Sequence, residues 1–421
     1  MSLLEVIKHD LPIQIHNNSM RYFLISTTPK TLLALFLLLF FTQIKKISAE
    51  EYSVPHSGSP YLSLNELNNN EILHLPTGLR VNFDQMQNVI SSSKVIYIGE
   101  THDNTEAHRV QLKIIEDLAQ RFPGKISVGM EMFRRSAQKD IDRWSKGELP
   151  LKELKKLFRK NWGTGYELYK PIFDFISKNH IPLIGLKSSK KTEDLFRKNG
   201  FSNKKMLPEI DFDDRYHRPF SMSVFGSHKA MENPYRMLLL WEEAMAETVA
   251  NFAQDPNNTD SKLIVLAGGF HVQYGFGIPK RAFRRIPHSY AIILPTVTEL
   301  PSELKDREMD VQHVSIPLYA ADYSWKVQYK VLPKNKMMLG VVLENTENAV
   351  RIISVSSNSN ADQAGLKDGD LLLAMEENEL TNIEGFIEEL KEYKIGDKVM
   401  FLIKRGEKEI KVEVRFREQK L

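Results

Sequence analysis

Long apolar runs in the first three quarters of the chain read as buried strands, and four of them stop at a polar residue. Val95–Gly99 runs into Glu100-Thr101-His102, Ser127–Met130 into Glu131, Ile181–Leu186 into Lys187, and Leu263–Phe270 into His271. Tyr290–Leu294 reads as a fifth strand. Strands buried on both faces lose the alternation of half-exposed ones and read as continuous apolar stretches. The segments between them carry helical spacing. Thr105–Arg121 places Ala107, Val110, Ile114, Ile115 and Leu118 on one stripe, with Asn104 or Asp103 as its cap, and Pro123-Gly124 ends it. Ile141, Trp144, Leu151, Leu154, Leu157 and Phe158 mark further helix, as do Tyr166, Tyr169, Phe173 and Ile176 in Gly165–Ser177. Tyr235–Phe252 is a helix with Leu238, Trp241, Met245, Val249 and Phe252 in line. Strands alternating with helices predict an α/β domain, a mostly parallel sheet flanked by helices. Residues 190–233, rich in Phe, Met, His and Arg, predict an irregular or helical cap.

The pattern divides the chain into a leader (1–49), a polar Asn/Ser/Pro-rich linker (50–75), the α/β domain (76–305), a connector (306–333) and a small β-rich module (334–421). In the leader, Leu32–Phe41 is the most apolar run of the protein, with Arg21 and Lys30 before it and Ser48-Ala49 after it. That is the layout of a signal peptide, whereas Lys45, Lys46 and Ile47 near the cleavage position point to an uncleaved membrane anchor. Met20 is an alternative start. Either form predicts an exported protein, periplasmic or membrane-anchored and facing away from the cytoplasm, with the membrane as one partner. The net charge is only +3 in 421 residues, and basic residues are interleaved with acidic ones, so nucleic acid is not an expected partner. The absence of cysteine excludes disulfides, thiolate metal sites, Cys nucleophiles and Cys-linked lipid, without fixing the compartment.

In the C-terminal module, short β runs surround one helix, Ile383–Tyr393. Ser359-Asn360-Ala361-Asp362-Gln363-Ala364-Gly365-Leu366-Lys367-Asp368-Gly369-Asp370-Leu371-Leu372 resembles the signature stretch of a PDZ domain. The resemblance implies that a peptide or protein C-terminus is added as a strand to a sheet edge. It also assigns Leu339, Gly340 and Val341 to peptide binding, with backbone N–H groups around Gly340 taking the carboxylate.

Ligands of open α/β sheets bind beyond the carboxyl ends of the strands. Glu100, His102, Glu131 and His271 are therefore candidates for one site, with Lys187 arriving at the same end. The residue types allow three chemistries. They are a divalent metal centre with these four as ligands, metal-free hydrolysis with the same four as catalytic residues, or a pocket for a small-molecule ligand.

Ile98-Gly99-Glu100-Thr101-His102-Asp103-Asn104, Gly129-Met130-Glu131-Met132-Phe133, Trp162 with Tyr166 and Tyr169, and Gly268-Gly269-Phe270-His271 through Pro279 occur in that order. Together they resemble the ChaN family of haem-binding uptake proteins, related to the Tiki proteases, TraB proteins and erythromycin-esterase-like hydrolases. The resemblance implies haem as cofactor or cargo, with a Tyr as iron ligand. Tyr166, Tyr169, Tyr216 and Tyr274 are candidates, with His217 beside them. Arg215, Arg218, Met222 and Phe225 of the cap are candidates to clasp a porphyrin. It further implies a role in haem or iron uptake. The kinship with hydrolases keeps a peptidase or esterase as the alternative, although no HExxH or GxSxG motif is present. Members of this family are typically lipoproteins, and a chain without Cys must use another form of export or attachment.

Overall fold

The computed structural model describes residues 64–200, 207–225, 232–302, 305, 316, 318–332, 338–347, 349–390 and 393–417. The leader and most of the linker lie outside these residues. Among the described residues no helix is long and apolar enough to cross a membrane. Two compact units are present, one running to Val331 and one from Leu332.

The first unit is built on strands β1 (Ile72–His74), β2 (Leu79–Val81), β3 (Val95–Glu100), β4 (Ile126–Arg134), β5 (Leu183–Lys187), β6 (Lys262–Gly268), β7 (Tyr290–Thr296) and β8 (Tyr323–Lys326). They form one eight-stranded sheet in the order β2-β1-β8-β7-β3-β6-β4-β5. All pairs from β8 to β5 are parallel, and β1 pairs antiparallel with both β2 and β8. The sheet therefore claims residues at both margins that read as linker and connector. Ile72–His74 is a strand, and Leu64, Leu67, Leu73 and Leu75 are buried. Tyr323–Lys326 lies between β1 and β7, so the α/β unit runs well past residue 305. Strands of three and four residues are too short to leave a readable period, and only their sheet neighbours reveal them.

Nine helices cover this sheet among the described residues: α1 (Phe83–Ile90), α2 (Thr105–Arg121), α3 (Gln138–Ser145), α4 (Leu151–Asn161), α5 (Tyr166–Lys178), α6 (Lys190–Asn199), α7 (His217–Phe225), α8 (Glu232–Gln254) and α9 (Ile278–Arg285). The α2 cap is Asn104, whose side chain accepts from the Glu106 amide at 3.1 Å. Helices α6 and α7 occupy the segment read as a cap.

Successive strand residues point to opposite faces, and β3 shows the consequence. Ile96 and Ile98 join the core beneath α1–α5, whereas Val95 and Tyr97 join the core beneath α8 and α9. By the same parity Glu100 faces the α1–α5 layer. On β4, Met130 and Met132 belong to that layer too, so Glu131 faces α8.

The second unit is an antiparallel sheet of β9 (Val341–Asn345), β10 (Val350–Val355), β11 (Leu371–Met375), β12 (Asn378–Glu379), β13 (Lys398–Arg405) and β14 (Lys408–Arg415), in the path β14-β13-β11-β10-β9 with β12 on β11. Among the described residues two helices accompany it, α10 (Asn360–Gln363) and α11 (Ile383–Leu390). Its core gathers Val350, Ile352, Leu372, Phe386, Phe401 and Ile403. Among the described residues strand β9 is an edge, paired only with β10.

Candidate functional site

Strand β6 is inserted between β3 and β4, and this brings the strand ends together. Glu100 of β3 is level with Gly268 of β6, and the Gly268 amide donates to Glu131 Oε2 of β4 at 2.8 Å. The four strand-end residues are thus neighbours, but they belong to two layers.

On the α1–α5 side, Glu100 is fully buried and saturated with donors. His102 Nδ1 approaches Oε1 at 2.7 Å, the Tyr169 hydroxyl donates to the same oxygen, and Gln111 Nε2 donates to Oε2 at 2.7 Å. His108 stands 3.5 Å from Oε2 and donates through Nε2 to the His102 carbonyl at 3.0 Å. Burial alone would raise the Glu100 carboxyl, but the charge of His108 and the hydrogen bond from His102 hold it below its ordinary value. The same proximity raises Tyr169, through burial first and the Glu100 charge second.

On the α8 side, His271 sits between two buried carboxylates. Its Nδ1 is 3.1 Å from Glu242 Oε1, and its Nε2 is 3.3 Å from Glu131 Oε1. Glu242 also meets His217, whose Nε2 lies 2.8 Å from Oε2 and whose Nδ1 lies 3.4 Å from the Tyr235 hydroxyl. The result is a buried file, Glu131–His271–Glu242–His217–Tyr235. Burial works against the charged form of His271, yet Glu131 and Glu242 push it up to about 10. Both carboxyls are held far below the usual range despite burial, Glu131 by His271 and Glu242 by His217.

His102 is the accessible member of the strand-end group, with 44% of its side chain exposed. Its ring stands edge-on to Trp162, centroids 5.0 Å apart, and lies over Gly268. A Cβ at Gly268 would sit 3.0 Å from His102 Nε2, so a side chain there would push the ring off the strand end by a few tenths of an ångström. Lys187 Nζ lies over the rings of Trp162 (5.2 Å) and Trp241 (4.1 Å).

The haem candidates separate sharply. Tyr166 and Tyr169 are core residues of α5, and the Tyr169 hydroxyl is committed to Glu100. His217 is buried within the carboxylate file. Tyr274 is part-buried with a φ of +56° and stacks on Phe276 at 5.4 Å; burial raises its phenol. Tyr216 is 56% exposed, stacks on the opposite end of the same group at 5.8 Å from Phe276, and its hydroxyl meets no described partner. Phe220 stacks on Phe270 at 4.7 Å and completes this aromatic ledge. Arg215 beside it is exposed, whereas Arg218 is engaged with Glu232 at 2.6 Å. Met222 packs beneath, against Tyr235, Leu238 and Leu239, and nothing is described of the Phe225 side chain.

Among the described residues no group of three or more His, Asp or Glu side chains is arranged to hold a metal ion. The carboxylates of Glu100 and Glu131 already face His102, Tyr169, Gln111, the Gly268 amide and His271, so the alternative of a divalent metal has no support in this arrangement. Glu242, His108 and Gln111 were not singled out from sequence. Their signal is a polar residue inside an apolar stripe. Helix α8 is buried over most of its surface, and a carboxylate there must find a cation.

In the second unit, Gly340 has a φ of +82°, open to glycine and strained for other residues. The carbonyls of Leu339 and Gly340 accept from Ala361 (2.8 Å) and Ser356 (2.9 Å). No described group accepts from the amide N–H of either residue. Val341 and Leu343 of β9 and Ile383 and Leu390 of α11 are partly buried against the core, and Ile387 is exposed.

Residues 86–282 match the family model described as haem-binding uptake, Tiki superfamily, ChaN. Residues 338–416 match the PDZ domain. Among solved structures the chain is similar to ChaN of Campylobacter jejuni, described with cofacial haem binding, at 16% identity over 61% of this chain and 98% of that one (TM-score 0.46). It is also similar to the HtrA3 PDZ domain bound to a phage-derived ligand, at 13% identity over 19% of this chain and 84% of that one (TM-score 0.18). A serine endoprotease from Yersinia pestis matches at 23% identity over 20% of this chain and 29% of that one (TM-score 0.18). No curated protein matches the chain.

Proposed function

We propose, for a chain that carries a domain of the haem-binding ChaN family followed by a PDZ domain, that it is an exported or membrane-anchored haem-binding protein of iron uptake whose PDZ unit docks a peptide carboxyl terminus. The observation that carries the haem reading is the ledge around Tyr216. It offers an exposed phenol as iron ligand, held from behind by its stacking on the buried ring of Phe276, with exposed Arg215 as a cation for a propionate. Bound haem would supply the iron and the porphyrin as cargo. The chain's own part is to ligate, seat and neutralise that cargo. The leader of residues 1–49 would carry the protein out of the cytoplasm.

The docking reading is supported by the amides of Leu339 and Gly340, which meet no described acceptor, beside β9, whose outer edge is unpaired among the described residues. A hydrolase is favoured by one separate observation. His102 is tied to a buried carboxylate through Nδ1 and is partly exposed, which leaves Nε2 for a water, as in acid–base cleavage of a peptide or ester.

A hemin titration followed by visible absorption tests the first reading. Saturable binding is expected, lost in Tyr216→Phe and kept in Glu100→Gln. No saturable binding, or full binding by Tyr216→Phe, would overturn the assignment to Tyr216. Ester or peptide turnover abolished by Glu100→Gln would transfer the function to the strand ends.

A further inference from the structure

Lys187 ends β5 with only 9% of its surface exposed. Its ammonium has indole faces on two sides, Trp162 and Trp241, and no described group within hydrogen-bonding or ion-pairing distance. The nearby carboxylates have other donors. Glu193 accepts from Arg134, Ser188 and the Trp241 indole N–H. Glu131 is taken by the Gly268 amide and His271. Glu100 is taken by His102, Gln111 and Tyr169. An ammonium held against two aromatic faces gains cation–π attraction, and its N–H donors meet no described protein acceptor, so they are open to a ligand oxygen.

We infer that Lys187, Trp162 and Trp241 form a binding site for the carboxylate of a small apolar acid, approached from the side on which Trp162 meets the partly exposed His102. The site uses none of the residues of the Tyr216 ledge, so it stands or falls apart from the haem assignment. The indole walls call for an apolar body behind the anionic head. The neighbouring Glu131 and Glu193 charges favour a singly charged head over a dianion.

The test is calorimetric titration of the full chain with benzoate and, separately, with inorganic phosphate. Saturable benzoate binding is expected, tighter than phosphate and at least about tenfold weaker in Lys187→Met, since charge-assisted hydrogen bonds are lost. Ligand-free Lys187→Met should melt no lower than the parent, because an unpartnered buried ammonium has been replaced by an apolar side chain. The proposal is overturned by absent benzoate binding, by unchanged binding in Lys187→Met, or by phosphate binding more tightly. A lower melting temperature for Lys187→Met would make Lys187 a structural cation and overturn it equally. Hemin in competition separates the two sources of carboxylate: displacement of benzoate identifies a haem propionate, and no displacement identifies a free small acid.

Discussion

At the carboxyl ends of β3, β4 and β6 the polar groups are side chains, charged, and bonded largely to one another. Beside β9 in the PDZ unit the free groups are backbone amides, uncharged, with no described acceptor. The difference decides what each region can do without a ligand. The strand-end group is complete in itself, and most of its charges help hold the α/β unit together. The amides of Leu339 and Gly340 contribute little to stability and are free for another chain. Disturbing the first should be read out in folding, and disturbing the second in binding.

The largest effect is expected from Glu242. It is buried between His271 and His217, with Arg281 3.8 Å away. Removing one partner of a buried ionic group leaves its counter-charges stranded, at about 3–5 kcal/mol. Glu242→Leu should therefore lower the unfolding free energy of the full chain by about that much in a urea titration. A loss below about 1 kcal/mol would place this file among solvated surface pairs and erase the contrast with the β9 edge.

The second expectation concerns pH. His271, ordinarily near 6.5, is pushed up to about 10 by its two carboxylates. A base whose folded value is raised contributes stability that is complete below its unfolded value and fades as pH climbs through the folded one. Glu131 and Glu242 are depressed from 4.5, so their contribution is complete above that value and fades as pH falls. The melting temperature should be highest between 4.5 and 6.5 and decline from 6.5 toward about 10. In His271→Gln the alkaline decline should flatten, and an unchanged decline would mean that His271 is not its source. Among the described residues of the PDZ unit the group moved from its ordinary value is Arg405, raised by Asp370 and beyond the range in which His271 titrates, so no counterpart to this limb is expected from them.

The contrast also explains what the sequence could reveal. Glu100, Glu131, Lys187 and His271 were legible because parallel strands buried on both faces read as apolar runs, and a polar residue marks where the run leaves the core. The PDZ unit was legible because its turn residues keep a fixed order around Gly365 and Gly369, both with positive φ. Glu242 was not legible, since its role depends on which helix covers which face of the sheet. Strand parity sends Glu100 to one layer and Glu131 to the other, and that division needs the strand order. Strand β1 was concealed in a polar segment because three residues carry no period.

The smallest expected effect on folding falls on Gly340, and it sharpens the comparison most. At a φ of +82° an added Cβ meets backbone strain, and single residues in the left-handed region cost about 1–2 kcal/mol. Gly340→Ala should thus lower stability by about 1 kcal/mol, less than Glu242→Leu. Its effect on a peptide with a free carboxyl terminus should be much larger in proportion. The Gly340 amide would be turned out of line with Leu339, and the carboxylate would lose one of two donors, about tenfold in affinity. Fluorescence anisotropy of a labelled peptide, compared with its C-terminally amidated form, reads both points. A parent chain that binds the two forms equally would show that the amides of Leu339 and Gly340 are not the recognition element. A Gly340→Ala chain that unfolds as readily as Glu242→Leu would show that this loop, too, holds its unit together.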